Sequence, residues 1–201
     1  MEKKKILEFQ NISKSFVGVK ALSDVSFSVR EGEVHALLGE NGAGKSTLMK
    51  ILSGAYMKDA GKVFLDGQEI QVKNTKESER LGISIIYQEL NLIPELSVAE
   101  NIFLDRQPKR NGFIDWKQMN QDAEKILEGI DMKIPPKMIV STLSVAQRQM
   151  VEIAKAVSLG ARLVIMDEPT STLTEGETRK LFQVISSLKQ RGITIIYISH
   201  R

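Results

Sequence analysis

Over the first third of the chain, hydrophobic and polar positions alternate in short runs, as in Ile6 to Gln10 and Val25 to Val29, with turn residues at Glu31-Gly32 and Asp66-Gly67. A period of two broken by glycine predicts antiparallel strands and hairpins. Ile83 to Tyr87, Leu163 to Met166 and Ile193 to Ile198 are instead nearly continuous apolar runs. Such runs suit parallel strands covered on both faces. Between Tyr87 and Leu163, Ser97-x-x-Glu100, Asp115 and Ser144-x-x-Gln147 each have the form of a helix start. Gly160 and Gly192 fall where helices should stop before the two later core strands. The expected fold is therefore α/β, with a mostly parallel core sheet, an antiparallel N-terminal β-wing and a helical insert. The core should take residues 1–88 and 161–201, and the insert about 89–160. No internal repeat or low-complexity segment interrupts this reading. The last buried strand is followed by Ser199-His200-Arg201 alone, whereas a parallel sheet normally continues through a covering helix. The expectation is a chain cut at its C-terminal end from a longer protein.

Composition narrows the picture in three ways. With 201 residues, 42% apolar and 26% charged, the chain can bury a core as one compact domain. The net charge of +3 is modest, and part of it sits in Lys3-Lys4-Lys5 at the start, so no nucleic-acid partner is expected. The absence of cysteine excludes disulfides and thiolate metal sites. No stretch approaches the ~20 apolar residues of a membrane span, so a role in a membrane process is expected to run through another chain.

Candidate chemistry begins at Gly39-Glu40-Asn41-Gly42-Ala43-Gly44-Lys45-Ser46-Thr47, which fits G-x-x-x-x-G-K-[ST]. It lies between the apolar run Val34 to Leu38 and a helix-like stretch, Ser46 to Leu52. Glycines let successive N–H groups converge on one centre, Lys45 adds charge for β/γ-phosphates, and the Ser46 hydroxyl suits Mg²⁺. The expected ligand is a nucleoside triphosphate. Leu163 to Met166 then delivers Asp167 and Glu168 to the carboxyl end of a strand, where open α/β sheets place ligands. Asp167 is the candidate Mg²⁺ holder, and Glu168 the group that polarises an attacking water. Pro169 ends the strand and fixes the turn after the acids.

Together with Tyr87-Gln88, Leu143-Ser144-Val145-Ala146-Gln147 and Ser199-His200, this set resembles the nucleotide-binding domain of ABC-class ATPases along essentially the whole chain, a P-loop NTPase fold. The resemblance implies that Gly39 to Thr47 is the Walker A loop and Asp167 and Glu168 the Walker B end. It further implies that Gln88 is the Q-loop glutamine, Leu143 to Gln147 the signature, and His200 the switch histidine. Phe16 lies where the family places an aromatic that stacks on adenine; core packing is the competing reading, since Phe9 and Phe27 flank it. Gln88 follows a buried strand, so its amide can reach Mg²⁺ or the attacking water. The His200 imidazole can donate to the γ-phosphate.

The signature departs from L-S-G-G-Q, with Val145 and Ala146 replacing both glycines. Ser144 at a helix start offers a hydroxyl, backbone N–H groups and the positive end of a helix to the phosphate of ATP on an opposing cassette. Ser144 and Gln147 also satisfy a plain capping box, and both readings can hold. Thr174 stands where the family commonly has Asp, and it can cap the next helix with Glu177.

Four strings narrow the resemblance further: Gln88 to Pro94, Asn101 to Leu104, Gln149 to Lys155, and Thr172 to Thr174. They are similar to the first of two cassettes carried on one chain in importers of ribose, galactose or xylose. That resemblance implies ATP and Mg²⁺ as ligands, ATP hydrolysis coupled to sugar import, and a peripheral position on the cytoplasmic face of the membrane. The implied partners are transmembrane permease subunits, a second cassette and, indirectly, an extracellular or periplasmic sugar-binding protein. Glu89 to Leu104 is the expected docking segment, with Leu92, Ile93 and Leu96 as exposed contacts or, equally, as anchors of the insert. A soluble ABC-class ATPase acting on ribosomes or DNA is the alternative, but the insert lacks the sustained heptads of a coiled coil. A small-molecule kinase or GTPase would not account for Leu143 to Gln147 together with His200, and no N-K-x-D motif is present.

Overall fold

Two long strands open the chain in the computed structural model, which describes residues 4–200; Lys3 of the basic start and Arg201 lie outside the described residues. β1 (Lys5–Phe16) and β2 (Val19–Arg30) pair antiparallel and continue through β4 (Ala60–Leu65) and β5 (Gln68–Ile70) in the order β2-β1-β4-β5. The β4–β5 hairpin turns at Asp66-Gly67, as the sequence predicts. Glu31-Gly32 is also a turn but makes no hairpin. It passes the chain from β2 to β3 (Val34–Leu38) in another sheet, and the β1–β2 hairpin turns instead at Val17-Gly18.

The second sheet has the order β3-β10-β9-β6, with β6 at Ile83–Ile86, β9 at Leu163–Asp167 and β10 at Thr194–Ser199. β10 runs parallel to both β3 and β9. Its register matches Ser199 with Leu38 and Ile198 with Asp167, so the carboxyl ends of three strands are level. β9 and β10 are buried on both faces, as their unbroken apolar runs demand.

Helix α1 (Lys45–Leu52) follows β3 across the glycine loop. Leu48, Met49, Ile51 and Leu52 form its buried side, in one core with Leu7 and Phe9 of the antiparallel sheet and Ile165 and Ile196 of the parallel one. The first turn of α1 is set by Gly44, whose φ is 86°; a Cβ there would lie 2.4 Å from the carbonyl oxygen of Ala21. Only glycine tolerates both conditions. The short α2 (Thr75–Arg80) is capped by Asn74.

The chain falls into two compact units. One takes the chain up to Ile85, Ala161–Glu168 and the segment from Leu188; the other takes Ile86–Gly160 and Pro169–Ser187. Helices α3 (Val98–Ile102), α4 (Trp116–Glu128) and α5 (Val145–Ser158) pack on one another in the second unit. Ser97, Asp115 and Ser144 are their N-caps, each accepting a backbone N–H three residues on. A two-stranded hairpin, β7 (Lys109–Arg110) and β8 (Phe113–Ile114), precedes α4. Before α6 (Glu175–Gln190), Thr174 and Glu177 exchange side-chain and backbone bonds as a cap. Gly160 and Gly192, at φ 70° and 83°, end α5 and α6. Among the described residues no helix is long and apolar enough to cross a membrane.

Candidate nucleotide site

The level strand ends decide where the chemistry lies. Gly39, Glu168 and His200 each stand one residue past β3, β9 and β10, so the register that pairs Leu38, Ser199, Ile198 and Asp167 brings them to one edge of the sheet. The loop from Gly39 to Gly44 leaves that edge and enters α1, exposing Glu40, Asn41, Gly42 and Ala43. Lys45 folds back over the loop, its Nζ donating to the carbonyl oxygens of Gly39 at 2.6 Å and Glu40 at 2.9 Å. Ser46 is exposed and Thr47 half-buried.

Asp167 sits against this loop and shares a hydrogen bond with the side chain of Ser46. Burial, and then the charge of Glu168, push its carboxyl above the ordinary carboxylate value; Lys45, Lys50 and the Ser46 hydroxyl pull the other way. Two hard oxygen donors side by side fit a Mg²⁺ ion that keeps most of its ligands as water and phosphate. Among the described residues no group of three or more His, Cys, Asp or Glu could hold a metal by itself.

Glu168 is held in an uncommon conformation. Its φ of 47° lies in the left-handed region although it has a side chain, and its N–H donates to the carbonyl of Ile198 at 3.1 Å. Such a geometry costs of order 1 kcal/mol or more and persists only where the surroundings impose it. In this conformation Glu168 Oε1 pairs with His200 Nδ1 at 2.9 Å. A carboxylate facing Nδ1 keeps a proton on that nitrogen, which leaves Nε2 as the ring atom free for other work. The sequence pointed to both residues but contained no sign that they meet.

Phe16 stands apart from the two aromatics that flank it in sequence. Phe9 is buried and stacks on Phe27, whereas Phe16 is 41% exposed at the end of β1, edge-on to Tyr56 with Lys14 over its ring. It is not a core residue.

Gln88 and the signature belong to the second unit. Gln88 is exposed in the bend after β6. Ser144 accepts from the Gln147 N–H at 3.3 Å, and Gln147 accepts from the Ser144 N–H at 2.9 Å, a complete capping box. Val145 is exposed beside it, Ala146 half-buried. Of Leu92, Ile93 and Leu96, for which exposure and packing were equal alternatives, only Ile93 is exposed; Leu92 and Leu96 are half-buried. The reason is Asn101, a buried amide that accepts from the Ile93 N–H at 2.7 Å and donates back to the Ile93 carbonyl, fixing this loop on α3.

Comparison with known proteins fits this arrangement. The profile described as ABC transporter matches residues 22–171. A putative ribose/galactose/methyl galactoside import ATP-binding protein of Agrobacterium fabrum is 56% identical over 200 residues, 100% of this chain and 40% of the relative. A galactose/methyl galactoside import ATP-binding protein of Clostridium perfringens is 53% identical over 98% of this chain and 38% of its own length. The chain thus spans about two-fifths of the curated relatives it matches. Among solved structures, the ADP conformation of an ATP-binding cassette of an ABC transporter superposes with a TM-score of 0.87 at 31% identity, covering 98% of this chain and 82% of that one. The chain belongs to the ABC transporter family, as one of its α/β ATP-binding cassettes.

Proposed function

We propose that this chain is the first, ATP-hydrolysing cassette of a monosaccharide importer, with residues 89–160 as its signature subdomain. The observation that carries the reading is the convergence of the Gly39–Thr47 loop, Asp167, Glu168 and His200 at one sheet edge. The names of the relatives, which couple ATP binding to import of ribose or galactose, supply the substrate class.

In this reading the loop amides and Lys45 hold the β/γ-phosphates, and Phe16 stacks on the adenine. Lys45 leaves the carbonyls of Gly39 and Glu40 for the phosphate, exchanging neutral acceptors for a charged one. Ser46 and Asp167 would hold Mg²⁺, with the Gln88 amide as the further ligand that the family resemblance implies, and the ion would supply positive charge for the phosphates. Glu168 orients and deprotonates the attacking water while His200 steadies it from the other side. His200 also contributes a donor toward the γ-phosphate once it carries charge.

Ser144, Val145, Ala146 and Gln147 serve the ATP of a second cassette, encoded on the same longer chain. The working protein lies on the cytoplasmic face of the membrane against permease subunits, fed by a sugar-binding protein. Titration with ATP tests the base of this scheme. Lys45→Ala should weaken binding at least a hundredfold, in line with loss of a charged phosphate contact; unchanged affinity would remove the whole reading.

A further inference from the structure

The hairpin β7–β8 and the first turn of α4 show apolar side chains that no core requires. Phe113 is 81% exposed and Trp116 52%, with Ile114 exposed between them. The buried side of α4 is Met119, Ala123 and Leu127, so Trp116 is not needed to seat the helix. Around these three stand Lys109, Arg110 and Lys117, all exposed and, among the described residues, in no ion pair. Asp115, the one acid between 109 and 117, has its carboxylate engaged with the Gln118 N–H at 2.9 Å. Lys137 borders the other flank of Trp116, across a shallow depression that Pro135, Pro136 and one acid, Glu124, also line. Residues 86–160 as a whole contain nine Lys or Arg against ten Asp or Glu, so the basic character is local to this patch.

We propose that this patch is a contact for an anionic lipid surface. The inference rests on the reading of the chain as working at a membrane. Tryptophan beside lysine and arginine is the composition that settles at headgroup level, ring toward the acyl boundary and cations on the phosphates. The turn at Asn111-Gly112 leads directly into Phe113, and every residue from 109 to 114 is exposed, so the whole hairpin is open to a surface that meets it. One such patch gives reversible binding, enough to orient a cassette held mainly by its protein partners.

Trp116 is the only tryptophan, so its emission reports the patch directly. The chain is mixed with phosphatidylcholine vesicles, with or without phosphatidylglycerol, some carrying brominated acyl chains. The expected result is a blue shift and bromine quenching with anionic vesicles only, both reduced by salt. The triple variant Lys109→Glu, Arg110→Glu, Lys117→Glu should lower partitioning about a hundredfold. Phe113→Ser, at a site with no core contact, should weaken it with ATP affinity unchanged. Equal response to neutral vesicles, or none to either, overturns the proposal. So does shielding of Trp116 by a solubilised permease without any response to lipid. ATP titration of the same samples keeps the two readings apart: failure to bind ATP sinks the proposed function, failure to bind vesicles sinks only this contact.

Discussion

The glycine loop before α1 and the start of α5 both present a helix N-terminus to a phosphate in the proposed scheme, yet they are built on opposite plans. At the loop, folding alone leaves much unexplained. Asp167 is half-buried with its carboxyl pushed up, Glu168 sits at φ 47°, and Lys45 lies over two carbonyls of its own loop. The first two features cost stability unless a ligand uses them, and the third leaves a cation bonded only to neutral acceptors. At the start of α5, local structure explains the cap: Ser144 and Gln147 satisfy one another, and this turn needs no further partner. A site that carries strain can be tested in this chain by itself. A site that is complete as a helix cap shows its second role only when an opposing nucleotide is supplied.

The largest effect expected beyond Lys45 is at Glu168. Glu168→Gln keeps the length and a hydrogen-bond acceptor for His200, and loses only the base. In a protein that holds both cassettes, ATP affinity should stay within about twofold while turnover falls a hundredfold or more. Near-normal hydrolysis would move the base elsewhere and leave the strained backbone of Glu168 without a catalytic explanation. Glu168→Gly separates strain from chemistry. It should be as inactive as Glu168→Gln, but more stable to denaturant by about 1 kcal/mol, because glycine accepts positive φ without cost.

At α5 the same test has a smaller and different result. Ser144→Ala should cost about 1 kcal/mol of unfolding free energy through loss of the cap, with ATP affinity of this chain unaltered. The dual role would be refuted if activity of the two-cassette protein were also unaltered. Replacing Val145 and Ala146 by glycine sharpens the point. The helix should lose up to about 1 kcal/mol per site, and closer backbone approach should raise turnover if a phosphate really meets this end.

Much of this was legible in the chain. Unbroken apolar runs announced β9 and β10, and glycines at 160 and 192 announced the ends of α5 and α6, because burial on both faces and left-handed termini each restrict residue choice sharply. The caps at Ser97, Asp115, Ser144 and Thr174 were readable for the same reason. Less visible was whatever depends on register. Glu31-Gly32 looks like a hairpin turn, and only pairing of β3 with β10 makes it a crossing between sheets. The Glu168–His200 pair is likewise a product of β9 lying beside β10. Asn111-Gly112 is a strong hairpin signal that marks β7–β8, though strands of two residues carry no periodicity to support it. Whether Leu92 and Leu96 are exposed or packed was open from the sequence, because the residue that holds their loop, Asn101, lies outside it.

The smallest expected effect lies deeper in α5, where the cap no longer accounts for the sequence. Glu152 is 8% exposed with Oε1 unpartnered, and Gln149, 5% exposed, leaves Nε2 unpartnered one turn earlier. Burial pushes the Glu152 carboxyl above its ordinary 4.5, against the charge of Lys155 and the backbone amide of Asn91. The folded chain therefore holds this proton more tightly than the unfolded chain. The stability it contributes is complete below pH 4.5 and is lost as pH rises through the folded value. Glu152→Gln removes the ionisation, so its advantage over the parent should grow between pH 5 and pH 8, by roughly 1 kcal/mol or a few degrees in Tm. Denaturant unfolding at the two pH values measures it. A difference that does not change with pH would mean that the carboxylate is fully compensated in the fold. In that case α5, like its cap, would be complete without a partner.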